Sequence, residues 1–202
     1  MKKLLCIIFA SLLLIIIISV GASAATAHRV EKGDSLWRIA VKYRVGLSEI
    51  KEANPTIRNY DLIYPGQIIN VPTVDSSVSA YEAEVIRLVN EIRVENGLEP
   101  LTQDWQLSRV ARYKSQDMKD LGYFSHTSPT YGSPFNMMKS FGISYRAAGE
   151  NIAKGYKTPA QVVDAWMNSP GHRANILNST YTHIGVGYVA SGSYWTQMFI
   201  FK

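Results

Sequence analysis

Three short strings hold the residues best equipped for chemistry. His126 lies in Phe124-Ser125-His126, Glu150 in Gly149-Glu150-Asn151-Ile152, and His172 in Ser169-Pro170-Gly171-His172-Arg173-Ala174-Asn175. Imidazole titrates near neutrality and also ligates metals. Brought together, two imidazoles and one carboxylate admit three readings. They are an open site for a divalent metal such as zinc, a proton-transfer set, or a hydrogen-bond network that only ties loops together. Other reactive chemistry is sparse. The chain contains no H-E-x-x-H string and no obvious carboxylate pair. Ser125 stands beside His126 without an orienting acid in sequence. His28 and His183 sit in no motif and read as surface or strand-edge residues.

The elements that must position those strings are legible from periodicity. Val85, Leu88, Val89 and Ile92 follow i, i+3, i+4, i+7, and Asn96-Gly97 makes a left-handed stop. A second helix is expected from about Asp104 to Leu121, with Leu107, Val110, Ala111 and Met118 inward and Gly122 ending it. A third is expected over Ser133–Phe141. Thr158-Pro159 is a cap followed by proline at the first helical position, opening a fourth with Val162, Val163, Ala165 and Trp166. The period then changes. Ile184, Val186 and Tyr188, then Tyr194, Thr196, Met198 and Ile200, alternate around Ser191-Gly192-Ser193 as an antiparallel hairpin. Helices followed by a terminal sheet indicate an α+β domain over residues 80–202.

A smaller unit precedes it over residues 28–72 and reads strand, helix, helix, strand. Asp34 is placed to cap a helix whose apolar face is Leu36, Ile39, Ala40 and Tyr43. Ser48 is placed to cap a second helix, which Asn54-Pro55 terminates. Tyr64-Pro65-Gly66-Gln67 is a turn, and Ile68, Ile69 and Val71 form the return strand. Trp37 reads as a core residue, with a ligand platform as the alternative. The serine-rich stretch 73–79 reads as a linker.

Residues 1–24 carry a targeting signal. Lys2 and Lys3 precede an apolar run from Leu4 to Val20, and Gly21-Ala22-Ser23-Ala24 supplies the small residues of a cleavage site. A retained transmembrane anchor is the rival reading, since the run lies at the lower edge of a span. Cleavage before Ala25 would remove Cys6, the only cysteine of the 202 residues. The mature chain is then neither a disulfide scaffold nor a cysteine-nucleophile enzyme, and no stable membrane association is expected of it. The net charge of +5 includes Lys2 and Lys3. What remains is mild, and no basic run with interleaved aromatics points to nucleic acid.

Val30-Glu31-Lys32-Gly33-Asp34-Ser35-Leu36-Trp37-Arg38-Ile39-Ala40, Ile50-Lys51-Glu52-Ala53-Asn54-Pro55 and Leu62-Ile63-Tyr64-Pro65-Gly66-Gln67-Ile68-Ile69-Asn70-Val71-Pro72 together resemble a LysM module. The resemblance implies recognition of N-acetylglucosamine-containing glycan, peptidoglycan or chitin. The implied groove sets Gly33, Asp34, Ser35 and Leu36 against Pro55, Thr56, Ile57, Tyr64 and Gly66. Acetamido sugars need backbone hydrogen bonds for the amide and apolar surface for the ring faces, and two such loops supply both.

The strings around His126, Glu150 and His172, with Leu88-Val89-Asn90, Ala165-Trp166-Met167 and Ile184-Gly185-Val186-Gly187-Tyr188, resemble the CAP superfamily. That superfamily covers cysteine-rich secretory, antigen 5 and pathogenesis-related proteins, and this copy is similar to its short bacterial branch. The resemblance implies a three-layer α-β-α sandwich with a central cleft lined by two histidines, here His126 and His172, and two acids. Glu150 corresponds to the first acid. The second normally follows the tryptophan of the fourth helix, where this chain has Met167, Asn168 and Ser169. Some relatives bind a divalent metal through the histidines. Arg173 and Asn175 are expected to organise their loop. Taken together, the reading is a secreted protein of the cell wall or spore surface, held to glycan by the first module. The second acts as a binding or structural module, with the ligand of its cleft unknown. A metal-dependent peptidase or wall hydrolase is the alternative.

Overall fold

The computed structural model describes residues 25–202. The expected signal peptide, its cleavage site and Cys6 lie outside the described residues. Within them, no helix is long and apolar enough to cross a membrane.

The first module is a βααβ unit. β1 (Ala25–Arg29) pairs antiparallel with β2 (Ile68–Pro72), and α1 (Leu36–Tyr43) and α2 (Leu47–Glu52) pack over them. Its core is Val30, Leu36, Ile39, Ala40, Ile50, Ile69 and Val71. Several sequence expectations need correction. Ser35, not Asp34, caps α1, accepting from the Arg38 N–H. Asp34 instead accepts from the Glu31 N–H at 2.8 Å and lies 2.9 Å from His28 Nε2. His28 Nδ1 is 3.1 Å from the Tyr43 hydroxyl. His28 is therefore a buried tie between strand, loop and helix, not a surface residue. Gly46, not Ser48, occupies the N-cap of α2, and the Ser48 hydroxyl donates to Glu49. Trp37 is 62% exposed. It directly follows Leu36, and neighbours in sequence do not share a helix face.

Only Thr73, Val74 and Asp75 separate β2 from α3 (Ser76–Glu95). Asp75 caps α3 by accepting from Ser77 N–H, so residues 76–79 form a first helical turn and not linker. The second module continues with β3 (Thr102–Gln103), α4 (Trp105–Asp120), α5 (Pro134–Ser140), β4 (Ala147–Lys154), α6 (Pro159–Met167), α7 (Pro170–Ile176), β5 (His183–Val189) and β6 (Tyr194–Phe201). The sheet order is β3-β5-β6-β4, with β3 parallel to β5 and the other pairs antiparallel. Thr158 caps α6 as expected, and Asp104 and Ser133 cap α4 and α5 in the same way.

The sheet is the middle layer. Trp195 and Phe199 of β6, with Ile184, Val186 and Tyr188 of β5, pack against α3 and α6. Met198 and Ile200 meet α4 and α5 on the other face. β5 can lie directly beneath α4 because two of its residues lack side chains. A Cβ on Gly185 would fall 2.4 Å from the Leu107 carbonyl carbon, and one on Gly187 2.1 Å from that of Ala111. Ser115 closes the same contact, donating to the Gly187 carbonyl at 3.0 Å.

Arg109 of α4 reaches the first module. The Arg109 guanidinium grips both Glu49 oxygens, at 2.5 and 2.8 Å, and the Ser48 hydroxyl at 2.9 Å. It also lies over the rings of Tyr113 and Phe141. Its planar fork suits a carboxylate.

Candidate functional site

The site grows from β4, which pairs with β6 so that Glu150 stands opposite Met198 and shares the face that α4 covers. The Glu150 side chain is almost wholly buried. Its Oε1 shares a 2.7 Å hydrogen bond with His126 Nδ1, while Oε2 is buried with no hydrogen-bond partner among the described residues. Burial pushes the Glu150 carboxyl above the usual carboxylate range, with His126 and Lys114 pulling against that rise. The His126 ring is half exposed, and with Nδ1 engaged its Nε2 is the nitrogen left to act. A carboxylate that orients an imidazole in this way sets its tautomer.

His172 enters from α7. Burial lowers its pKa, and the charge of His126 lowers it further, so the two imidazoles share one electrostatic neighbourhood. Beneath them runs an amide network. Asn175 donates to the Glu150 carbonyl at 3.2 Å and to Asn151 Oδ1 at 2.8 Å. Asn151 donates to the His172 carbonyl and to Gln197 Oε1. Asn175 thus ties α7 to β4, in line with its expected organising role. Ser125 Oγ accepts from the Thr127 N–H, an arrangement that ties its loop and supplies no nucleophile–base pair.

Lys114 is the functional residue that sequence reasoning passed over. It is fully buried on α4. Its ammonium donates to the Ser125 carbonyl at 2.7 Å, the His126 carbonyl at 3.0 Å and the Tyr123 hydroxyl at 3.0 Å. All three of its donors are used on the loop that carries His126. The signal was present, since Leu107, Val110, Ala111 and Lys114 follow i, i+3, i+4, i+7 and place a lysine on an apolar face. Desolvation pushes the Lys114 ammonium below its ordinary pKa, against the pull of Glu150 and Asp117.

Asp117 anchors the far end of this loop, accepting from the hydroxyls of Tyr123, Ser128 and Thr130 at 2.5, 2.7 and 2.6 Å. Burial alone would raise its pKa, but the three hydroxyl donors and Lys114 outweigh burial and hold it low. A depressed carboxyl contributes stability above its unfolded pKa and loses it as pH falls through the folded one. Asp117→Asn is therefore expected to be less stable than the wild type at pH 7, with the gap narrowing below about pH 3.8. Urea midpoints measured from pH 7 to pH 3 check this, and a gap independent of pH would refute it.

The donor set also tests the metal expectation. Among the described residues no three His, Cys, Asp or Glu side chains are arranged to hold an ion. Glu150 bonds His126 instead of standing beside it as a third donor. A three-donor zinc site of His126, His172 and Glu150 does not fit, and what the residues form is a carboxylate-oriented imidazole whose charge reaches His172. Beside His172 lies a cavity of 290 Å³, walled by Phe124, Ile152, Lys154, Tyr156 and Trp166.

In the first module the expected groove residues fall on two depressions. Asp34, Ser35 and Leu36 line one of 200 Å³, opposite Tyr60, Asp61 and Ile63. Thr56, Ile57 and Tyr64 line another, of 640 Å³, with Arg58, Leu62 and Ile68. Pro55 is exposed. Gly33 and Gly66 both take positive φ, and they shape the loops, with the Gly66 N–H donating to the Val30 carbonyl. Tyr60, Asp61 and Ile63 therefore join residues 34–36 around the depression beside Ser35.

Comparisons with known proteins follow this division. Residues 86–201, more than half of the chain, match the family described as CAP, the cysteine-rich secretory protein family, and residues 28–72 match the LysM domain. An uncharacterized Bacillus subtilis protein, YkwD, is 70% identical over 127 residues, covering 63% of this chain and 49% of that one. The Bacillus cereus spore coat assembly protein ExsA is 50% identical over 46 residues, 23% of this chain and 7% of that one. An extracellular protein from Bacillus anthracis containing an SCP domain superposes with TM-score 0.60 at 34% identity, covering 68% of this chain and 47% of that one. The chain spans about half or less of these relatives' lengths.

Proposed function

Since the chain belongs to the cysteine-rich secretory protein (CAP) family and carries a LysM domain ahead of its CAP domain, we propose that it is an exported cell-wall protein. The LysM module holds it to N-acetylglucosamine-containing glycan, peptidoglycan or a chitin-like polymer. The CAP domain serves there as a binding or structural module. The observation that carries this reading is the LysM match over residues 28–72, whose motif loops line depressions open at the module's surface. One module binds weakly, and a dense wall compensates through repeated capture. The signal-like residues 1–24 and the similarity to a spore coat assembly protein support a secreted location, on the wall or the spore surface.

Co-sedimentation with purified peptidoglycan tests the anchor. The whole protein should pellet, and a chain lacking residues 25–72 should remain largely in the supernatant. Equal pelleting of the two would remove the anchoring role from the LysM module.

The contact between buried Glu150 and half-exposed His126 favours a second reading, in which the CAP cleft hydrolyses wall polymer. There Glu150 would hold the imidazole while His126 Nε2 takes a proton from water. Release of soluble muropeptides from peptidoglycan that disappears in His126→Ala would select this reading over the structural one.

A further inference from the structure

Trp37 is the largest side chain that this fold leaves in water, with 62% of its surface exposed. The other tryptophans differ. Trp166 and Trp195 are fully buried, and Trp105 is partly so. A free surface position would not single out the depression beside Ser35, yet Trp37 forms part of its wall, with Tyr60 on the opposite loop. Lys51 lies over the Tyr60 ring, its ammonium 5.3 Å from the centroid, and that contact positions the second aromatic wall.

The loop before Trp37 is held from three sides. His28 and the Glu31 N–H both engage Asp34, and Arg38 donates to the Gly33 carbonyl at 2.7 Å. The Arg38 N–H meets Ser35 Oγ, so the first turn of α1, where Trp37 sits, is held as well. An indole presented from a held turn offers a flat apolar face at low entropic cost. Such faces suit the C–H face of a pyranose ring, while the adjacent loop peptides meet its acetamido group.

We propose that Trp37 is a specificity-determining contact of the LysM module, stacking on one N-acetylglucosamine ring of a glycan seated between residues 34–36 and 60–63. This rests on the glycan-binding reading above. Its consequence is selectivity, because an aromatic wall rewards a ring whose stacked face presents only axial C–H groups and penalises sugars with an axial hydroxyl there.

The test is titration of the whole protein with the N-acetylglucosamine pentamer, read by tryptophan emission, iodide quenching and calorimetry. At saturation, the iodide-accessible fraction of emission should fall, because Trp37 is the indole that iodide reaches most easily. Trp37→Ala should weaken binding tenfold or more with an unchanged unfolding midpoint, and Trp37→Tyr should retain most of the affinity. Wild-type affinity in Trp37→Ala, or quenching unchanged at saturation, would overturn the stacking role while leaving the glycan reading intact. Absence of calorimetric binding by the wild type to both the pentamer and peptidoglycan would overturn both.

Discussion

Gly187→Ala is expected to abolish stable folding of the CAP domain. The added methyl would stand 2.1 Å from the Ala111 carbonyl carbon and from the Arg112 nitrogen. Both are helix backbone, so no side chain can rotate aside. Relief requires lifting α4 off β5, which would also break the Ser115 hydroxyl's bond to the Gly187 carbonyl and open the Leu107, Val110 and Ala111 contacts behind it. Overpacking typically costs about 1–3 kcal/mol when side chains can adjust. Here the cost should exceed about 3 kcal/mol, a large share of a small domain's stability. Gly171→Ala is the control, since nothing lies within 4 Å of its Cβ position. In helix α7 it should be neutral or stabilise by about 0.5–1 kcal/mol. Denaturant unfolding followed by Trp195 fluorescence separates the two. A Gly187→Ala protein within about 1 kcal/mol of wild type would show that the α4–β5 contact is not as tight as described.

Lys114→Met should have the next largest effect. Methionine fills a similar volume but leaves the Ser125 and His126 carbonyls and the Tyr123 hydroxyl without their donor. These acceptors are only partly buried, so each left unsatisfied costs about 1 kcal/mol. Removing the ammonium also takes a positive charge from beside Glu150 and Asp117. Against this, the desolvation penalty of a buried lysine disappears. The net loss should be about 3 kcal/mol. It should be accompanied by faster amide exchange over residues 125–128, because the loop has lost its tether to α4. Unchanged exchange there, whatever the global stability, would mean that Lys114 does not hold the His126 loop.

Much of the candidate site's location was legible, but its wiring was not. His126, Glu150 and His172 could be picked out by their strings. That Glu150 points at His126 depends on β4, a strand that no sequence pattern marks. Its residues Gly149–Ala153 are all buried, so no polar–apolar alternation marks it. α7 is equally hard to see, although Ser169-Pro170 repeats the cap-and-proline pattern that marks α6 at Thr158-Pro159. It spans only seven residues, too few for a periodic face to stand out.

The sequence by itself determined the division into two modules, the long helices α3 and α4, helix α5, the capped start of α6, and the β5–β6 hairpin. Each of these is encoded by contacts within a few residues, such as a cap accepting from the next turn or an apolar stripe at i, i+3, i+4, i+7. The tertiary structure alone decided the rest. Whether Trp37 is buried depends on what packs against the first turn of α1, and there the described residues leave 62% of it exposed. Lys114 is tolerable inside only because loop carbonyls eleven and twelve residues downstream accept its protons. Glu150 meets His126 across a gap of 24 residues, closed by the pairing of β4 with the distant β6. A buried polar group requires partners, and a chain read residue by residue does not reveal which distant segment supplies them.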